Sequence, residues 1–349
     1  MLWLAYSSCD KVNRNKKMKR ILTCLFVIVA LHAHAQYDMY RAYQPILDKK
    51  ELIKGSEVRS KYDWTGITKG IIKGCSTEEQ KARAIYNYIC ENISYDTNYQ
   101  IYHVDQCWEQ KKGVCQAYSE LFYCMATAVG LECHIISGSK VNHAWNGVKI
   151  NGKWMLLDST WGAGWVNGNV YGKRKFHDLW WDVDPYWMMF THYPDESEWQ
   201  LLGKKYSTSE FDKLPRISPM DCFGLSGQKV MNGVLTGKLI QLPKFYDDDN
   251  TVKFKVKSIP MTSTLMAGKT YTFKFKPESG IKWAVINEGD WLYDWIIDSK
   301  GVYTMKVTPK KKGKLTISVQ KSKDVSSYTT AMEYQVTGCL GSLVNRLHK

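Results

Sequence analysis

The sequence predicts an α+β chain, in which a helix packed on an antiparallel sheet is followed by an all-β sandwich. Three observations carry that expectation. Ala117, Tyr118, Leu121, Phe122, Met125, Ala128 and Val129 recur at helical spacing after Cys115, and Gly130 supplies a stop. Asn151-Gly152 lies between Val148-Lys149-Ile150 and Lys153-Trp154-Met155, the signature of a two-residue type I′ hairpin. Residues 252–257 and 271–276 alternate polar and apolar side chains, as half-buried antiparallel strands do.

Taken in order, residues 18–35 read as a secretory signal. Met18-Lys19-Arg20 is a basic start, 21–31 is an apolar run, and Ala33-His34-Ala35 before Gln36 is a small-x-small cleavage pattern. The run is short for a membrane span, so cleavage after Ala35 should leave no stable span and export the chain to the periplasm, cell surface or medium. Residues 1–17 precede Met18, which points to a start codon assigned too early; an uncleaved anchor behind a long cytoplasmic segment is the alternative. A lead-in at 36–74 follows, and then two domains are expected, at 75–215 and 216–349. Ser76-Thr77-Glu78-Glu79 looks like a capping box that opens a helix to about Asn92. Strand signals fall at 132–137, 143–150 and 153–160. Trp165, Trp180, Trp181 and Trp187 mark an aromatic segment at 161–200, read first as packing over the core and second as a cleft wall. Leu214-Pro215 to Ser218-Pro219 reads as a linker, beyond which helical patterns disappear. Short strands near 282–286, 302–307, 314–320 and 331–336 suggest an immunoglobulin-like sandwich without a disulfide signature.

Composition narrows the function classes. The 349 residues carry a formal net charge of +14, but residues 1–35 hold six of the 48 basic and one of the 34 acidic residues, so the processed chain keeps +9. Nothing resembles a nucleic-acid motif. Weak attraction to anionic envelope surfaces is the most the charge supports, and Lys310-Lys311-Lys312 reads as a solvated turn. Eight cysteines would remain after cleavage, at 75, 90, 107, 115, 124, 133, 222 and 339. Setting Cys115 aside leaves an odd number, no Cys-x-x-Cys pattern and no zinc constellation, and Cys124 reads as core.

Three segments carry chemistry: Gly113-Val114-Cys115-Gln116-Ala117-Tyr118, Asn142-His143-Ala144-Trp145 and Leu156-Leu157-Asp158-Ser159-Thr160-Trp161. Gly113 permits a tight turn, after which Cys115 falls in the first turn of a helix of roughly four turns. Free N–H groups and the positive end of the helix dipole favour negative charge on sulfur there. If the hairpin is regular, Ile150 faces Lys153, Trp145 faces Asp158 and His143 faces Thr160, with those last four on one face. His143 and Asp158 are then diagonal neighbours at roughly 7 Å, while a one-residue slip would separate them onto opposite faces. A thiol nucleophile, an imidazole that moves protons and a carboxylate that orients it together point to acyl transfer.

Residues 113–164 resemble the catalytic core of the transglutaminase-like superfamily, whose members have a papain-like fold. The matching motifs are Gly-Val-Cys-Gln-Ala-Tyr at 113–118, His-Ala-Trp-Asn at 143–146 and Leu-Asp-Ser-Thr-Trp-Gly-Ala-Gly at 157–164. Similarity to the kyphoscoliosis-peptidase type continues through Asp184-Pro185, Thr191-His192-Tyr193-Pro194 and Trp199-Gln200-Leu201-Leu202, and upstream through Ile85, Tyr86, Ile89 and Ile93-Ser94-Tyr95-Asp96, over about 75–215 in all. The resemblance implies Cys115 as nucleophile, His143 as general base and acid, and Asp158 as orienting carboxylate. It implies a peptidase or amidase if water accepts the acyl group, and a cross-linking enzyme if a lysine amine does. Some members have lost activity, so a non-catalytic protein- or glycan-binding envelope module stays open. No cofactor and no metal are expected. The core holds no acidic cluster like a calcium loop, and Asp247-Asp248-Asp249-Asn250 reads as a solvated hairpin tip. The Cys115 backbone N–H is a natural oxyanion donor; Gln106, then Trp108, are the side-chain candidates, and Trp145 and Trp161 are candidates to line a substrate cleft.

Overall fold

Helix starts and glycines fix the local structure from which the site is built. The computed structural model describes residues 58–338 apart from 175–177, 221–222, 239–240, 247–253, 279, 293 and 323–324. The expected signal at 18–35, the acidic run at 247–250, Cys222 and Cys339 lie outside the described residues. The order begins with α1 (Trp64–Ile71), α2 (Glu78–Asn92), β1 (Ser94–Tyr95), α3 (Val104–Gln110), β2 (Lys112–Gly113) and α4 (Cys115–Ala128). The sheet strands β3 (Cys133–Gly138), β4 (His143–Ile150) and β5 (Lys153–Leu157) follow, then α5 (Ser159–Ala163), β6 (Gly164–Asn167) and β7 (Val170–Lys173). Short helices α6 (Pro185–Met188) and α7 (Thr208–Phe211) lead to α8 (Gly227–Leu235).

Local chemistry explains these boundaries. The capping box uses Thr77 with Gln80, one residue beyond the expected Ser76 and Glu79, and the helix it opens ends at Asn92. Helix α4 stops before Gly130, whose φ of +83° suits a residue without Cβ. Asn151 and Gly152 have φ of 50° and 77°, both positive as a type I′ turn requires. The register is the one the hairpin predicts, with Ile150 opposite Lys153 through to Asn146 opposite Leu157. The third strand, however, ends at Leu157 and not at 160. Asp158 becomes the N-cap of α5, and Thr160 lies in that helix instead of facing His143 across the sheet.

In the three-stranded sheet β4 is central, between β3 and β5. Helix α4 lies against it, and Asn146 Nδ2 donates to the Ser119 carbonyl at 3.1 Å, tying the Cys115 helix to the His143 strand. On the helix, Ala117, Tyr118, Leu121, Phe122 and Met125 are wholly buried in one cluster with Ile85, Tyr86 and Ile89 of α2. Each large apolar side chain in such a cluster contributes about 1.5–3 kcal/mol by leaving water.

Beyond α7 the chain is β-rich but not free of helix. Helix α8 falls where no helical pattern was expected. The strands are β8 (Lys244–Phe245), β9 (Phe254–Ser258), β10 (Thr264–Met266), β11 (Tyr271–Pro277), β12 (Trp283–Asn287), β13 (Asp290–Leu292), β14 (Ile296–Ile297), β15 (Tyr303–Val307), β16 (Gly313–Ser322) and β17 (Val325–Thr337). They form one sheet in the order β10-β17-β16-β12-β13, with β8 also on β17, and a second in the order β14-β15-β11-β9. Rings from the two sheets meet: Phe275 lies 4.0 Å from Trp283 and Phe273 lies 5.7 Å from Tyr334. One apolar cluster runs from Ile136 and Trp145 through Trp187, Phe190 and Phe223 into these strands. The reading of the aromatic segment as packing holds for Trp180 and Trp187, which are buried, whereas Trp165 is exposed.

Gly162 is among the glycines demanded by space. A Cβ on Gly162 of α5 would run into the Tyr86 hydroxyl of α2, with Cys90 Sγ at 3.0 Å behind it. Gly162→Ala should therefore destabilise the protein by about 1–3 kcal/mol, read from urea midpoints, and cost less in a Tyr86→Phe background. Equal cost in both backgrounds would mean that the hydroxyl is not the obstacle.

Candidate active site

The first turn of α4 sets Cys115. Its N-cap, Val114, makes no side-chain capping bond to the N–H groups at this helix start. Gly113 is needed for close approach, since its Cβ would lie 2.8 Å from that of Ala117 and 3.1 Å from Cys107 Sγ. Tyr95 stands opposite Gly113 in the β1–β2 pair.

His143 opens β4, and its Nε2 lies 2.8 Å from Asp158 Oδ2. A carboxylate only accepts, so Nε2 carries the proton, and Nδ1 is left for the Cys115 thiol, with which the ring interacts. Burial lowers the imidazole's proton affinity, but the Asp158 charge and Cys115 raise it further, so its pKa is well above the ordinary 6.5. Burial alone would raise the Asp158 carboxyl; His143 and a second imidazole hold it well below the usual carboxylate range.

That second imidazole is His192, whose Nε2 lies 3.1 Å from the same Oδ2. Asp158 Oδ1 meanwhile accepts the backbone N–H groups of Thr160 at 2.8 Å and Trp161 at 3.0 Å. The His192 ring is enclosed by Trp145 at 4.8 Å, Trp161 at 4.9 Å and Trp180 at 5.4 Å. Burial pulls its pKa down to about 4 despite the Asp158 bond, so it is a neutral donor at neutral pH. The sequence offers one signal for it, the Thr191-His192-Tyr193-Pro194 stretch, but no spacing that points to Asp158.

The other candidates fare unequally. Gln106 is exposed on α3, while the side chains drawn to Cys115 are His143 and Tyr95, whose phenol is raised by burial and by the Cys115 charge. Trp108 packs edge-on against Trp64 at 5.6 Å, in a separate aromatic group. Trp145 is 1% exposed and backs the two histidines, so it does not line an open cleft; Trp161 is partly exposed, 5.4 Å from the His143 ring. Cys124 is buried, as expected of a core residue. Among the described residues, His143, Asp158 and His192 offer three possible metal-ligand atoms within 4.8 Å of one another. Protons already account for the arrangement, because both N–O separations are ordinary hydrogen bonds aimed at one oxygen.

The buried His192 makes a pH prediction. Its folded pKa of about 4 lies below the ordinary 6.5, so between those values the unfolded chain binds a proton that the folded one does not. The stability it contributes is present above the upper value and is lost as pH falls toward the lower. Thermal unfolding of wild type should lose on the order of 2 kcal/mol more than His192→Gln between pH 7 and pH 4.5. Parallel pH curves would contradict a neutral, buried His192.

Residues 65–159 match the profile of the transglutaminase-like superfamily, a span that holds Cys115, His143 and Asp158 and stops before His192. Among curated proteins, the human kyphoscoliosis peptidase is 28% identical over 182 residues, covering 46% of this chain and 27% of the relative. Hillarin of Drosophila melanogaster is 24% identical over 187 residues, covering 44% of this chain and 22% of its own length. The chain thus spans about a quarter of the length of these relatives. A crystal structure of a TGase is 19% identical, covering 42% of this chain and 41% of that one, at a TM-score of 0.25. Within this chain, residues 65–159 are a domain of the transglutaminase-like superfamily, followed by a β-rich region.

Proposed function

We propose that the chain is an exported cysteine hydrolase that cleaves peptide or amide bonds. The observation that carries the reading is the line of three side chains in which His143 is hydrogen-bonded to Asp158 at 2.8 Å and interacts with Cys115 at a helix start. On this reading the Cys115 sulfur attacks the amide carbonyl, and the oxyanion that forms is met by N–H groups of the first turn of α4. The C–N bond breaks as His143 passes its proton to the leaving amine, leaving a thioester on Cys115. Water, deprotonated by His143, attacks the thioester, and the acid leaves with Cys115 restored. Asp158 keeps the imidazole oriented through both steps. The name peptidase borne by a relative 28% identical supports a protein or peptide substrate, and the 18–35 segment supports export.

A second reading takes its support from burial. Cys115 is 2% exposed and His143 8%, as suits a non-catalytic envelope module that binds protein or glycan, or a site that opens only to its substrate.

Intact mass after iodoacetamide treatment at pH 6 separates these readings. Cys115 should label rapidly, and at least about tenfold more slowly in His143→Ala, with Cys115→Ala as the blank and the half-buried Cys75 and Cys133 as internal references. Slow labelling that is indifferent to His143→Ala favours the binding module. Peptide substrates supplied with and without a primary amine then distinguish hydrolysis from cross-linking.

A further inference from the structure

Asp158 Oδ2 serves two imidazoles, and the proposed chemistry uses only one of them. The second, His192, is held on both ring nitrogens. Its Nε2 is 3.1 Å from Asp158 Oδ2 and its Nδ1 is 2.7 Å from Thr191 Oγ1. Since the carboxylate only accepts, Nε2 carries the hydrogen, and in the neutral ring Nδ1 accepts from the Thr191 hydroxyl. The ring centroids of His143 and His192 are 5.1 Å apart, with Asp158 bridging them.

We propose that His192 is a positioning residue for the Cys115–His143 pair: its Nε2–H shares Asp158 Oδ2 with His143 and so limits how tightly the carboxylate holds the His143 proton. The inference rests on the cysteine chemistry proposed above. An oxygen that accepts two N–H bonds gives less to each than an oxygen that accepts one. Asp158 cannot compensate by turning, because its Oδ1 is engaged by Thr160 and Trp161. Without His192, Oδ2 would serve His143 alone, and the imidazolium would release its proton to a leaving amine less readily. The charged and titratable groups around the trio fit a neutral donor. Arg216 and His143 both oppose a positive charge on His192. Tyr86 and Cys90 face Asp158 with pKa values raised first by burial, so both are uncharged at neutral pH. Cys115 faces His143 from α4.

The test is a ¹⁵N-histidine NMR titration of the full chain in wild type, His192→Gln and His192→Phe, with Cys115 alkylation followed at each pH. Glutamine presents an amide N–H near the reach of Nε2; phenylalanine fills the tryptophan-lined space without a donor. We expect wild-type His192 to be the Nε2–H tautomer and neutral down to pH 5. The His143 titration should rise by about one pH unit in His192→Phe and return most of the way in His192→Gln. Should His192→Phe not fold, His192→Asn takes its place, since its shorter amide reaches Thr191 but not Asp158. An Nδ1–H tautomer in wild type, or a His143 titration unmoved by loss of the donor, overturns the proposal. If wild-type Cys115 labels no faster than Cys75, the hydrolase reading fails instead, and the histidine titrations still decide the role of His192.

Discussion

A carboxylate shut away from water must find its donors inside the protein, and Asp158 finds four. Two are backbone N–H groups of the helix it caps, one is the imidazole at the start of β4, and one is an imidazole that arrives 34 residues later. Each donor belongs to an element with its own packing, so the carboxylate is where the sheet, α5 and the aromatic segment are brought into register. Leaving any of these bonds unmade would strand part of a buried charge, which costs more than an ordinary hydrogen bond is worth. The enclosure of His192 by three tryptophans follows from the same need, because its position must be kept by packing where no solvent can substitute for it.

The separation between His143 and Cys115 depends on a different link. Helix and strand are joined by Asn146, whose amide donates to the Ser119 carbonyl, while Ser119 Oγ donates to the carbonyl of Cys115 at 2.9 Å. A polar bridge fixes the helix lengthwise in a way that apolar contact, being non-directional, does not. Glu120 adds a second tie by accepting the backbone N–H of Val104 at 2.9 Å, which holds α3 against the same helix. The helix that carries the thiol is therefore indexed on both sides by hydrogen bonds.

What the sequence made legible was local and periodic. The Cys115 helix, its stop at Gly130 and the Asn151-Gly152 register all follow from interactions within a few residues, where the chain has few alternatives. Asp158 was legible as a partner of His143 but not as a cap, because a strand and a cap both start from extended backbone and the side-chain choice comes from the helix that follows. His192 was legible only as a member of a stretch, since its bond to Asp158 spans a loop whose path no periodicity encodes. Trp145 looked like a cleft residue because an aromatic beside a candidate catalytic histidine suits either role. Burial separates the two, and burial depends on the segment at 180–192 that closes over it. The exposure of Gln106 was equally illegible, because its place on a helix face is set by how α3 docks, which is tertiary.

The burial that hides the site also bears on how it could work. Moving a proton from Cys115 to His143 turns a neutral pair into two opposite charges, but it leaves the net charge of the cluster unchanged, with Asp158 negative and His192 neutral throughout. In a low-dielectric interior, separating charge is expensive unless each charge meets a group already aimed at it. The sulfur would face the N-terminal end of α4 and the imidazolium would face Asp158, so both products of the transfer meet fields of the favourable sign. A second imidazolium at His192 would break that balance. It would draw the Asp158 charge away from His143 and repel the proton that His143 would accept in the proposed chemistry. A neutral His192 can support the carboxylate without competing for it, and the burial of its ring and the nearby Arg216 keep it neutral.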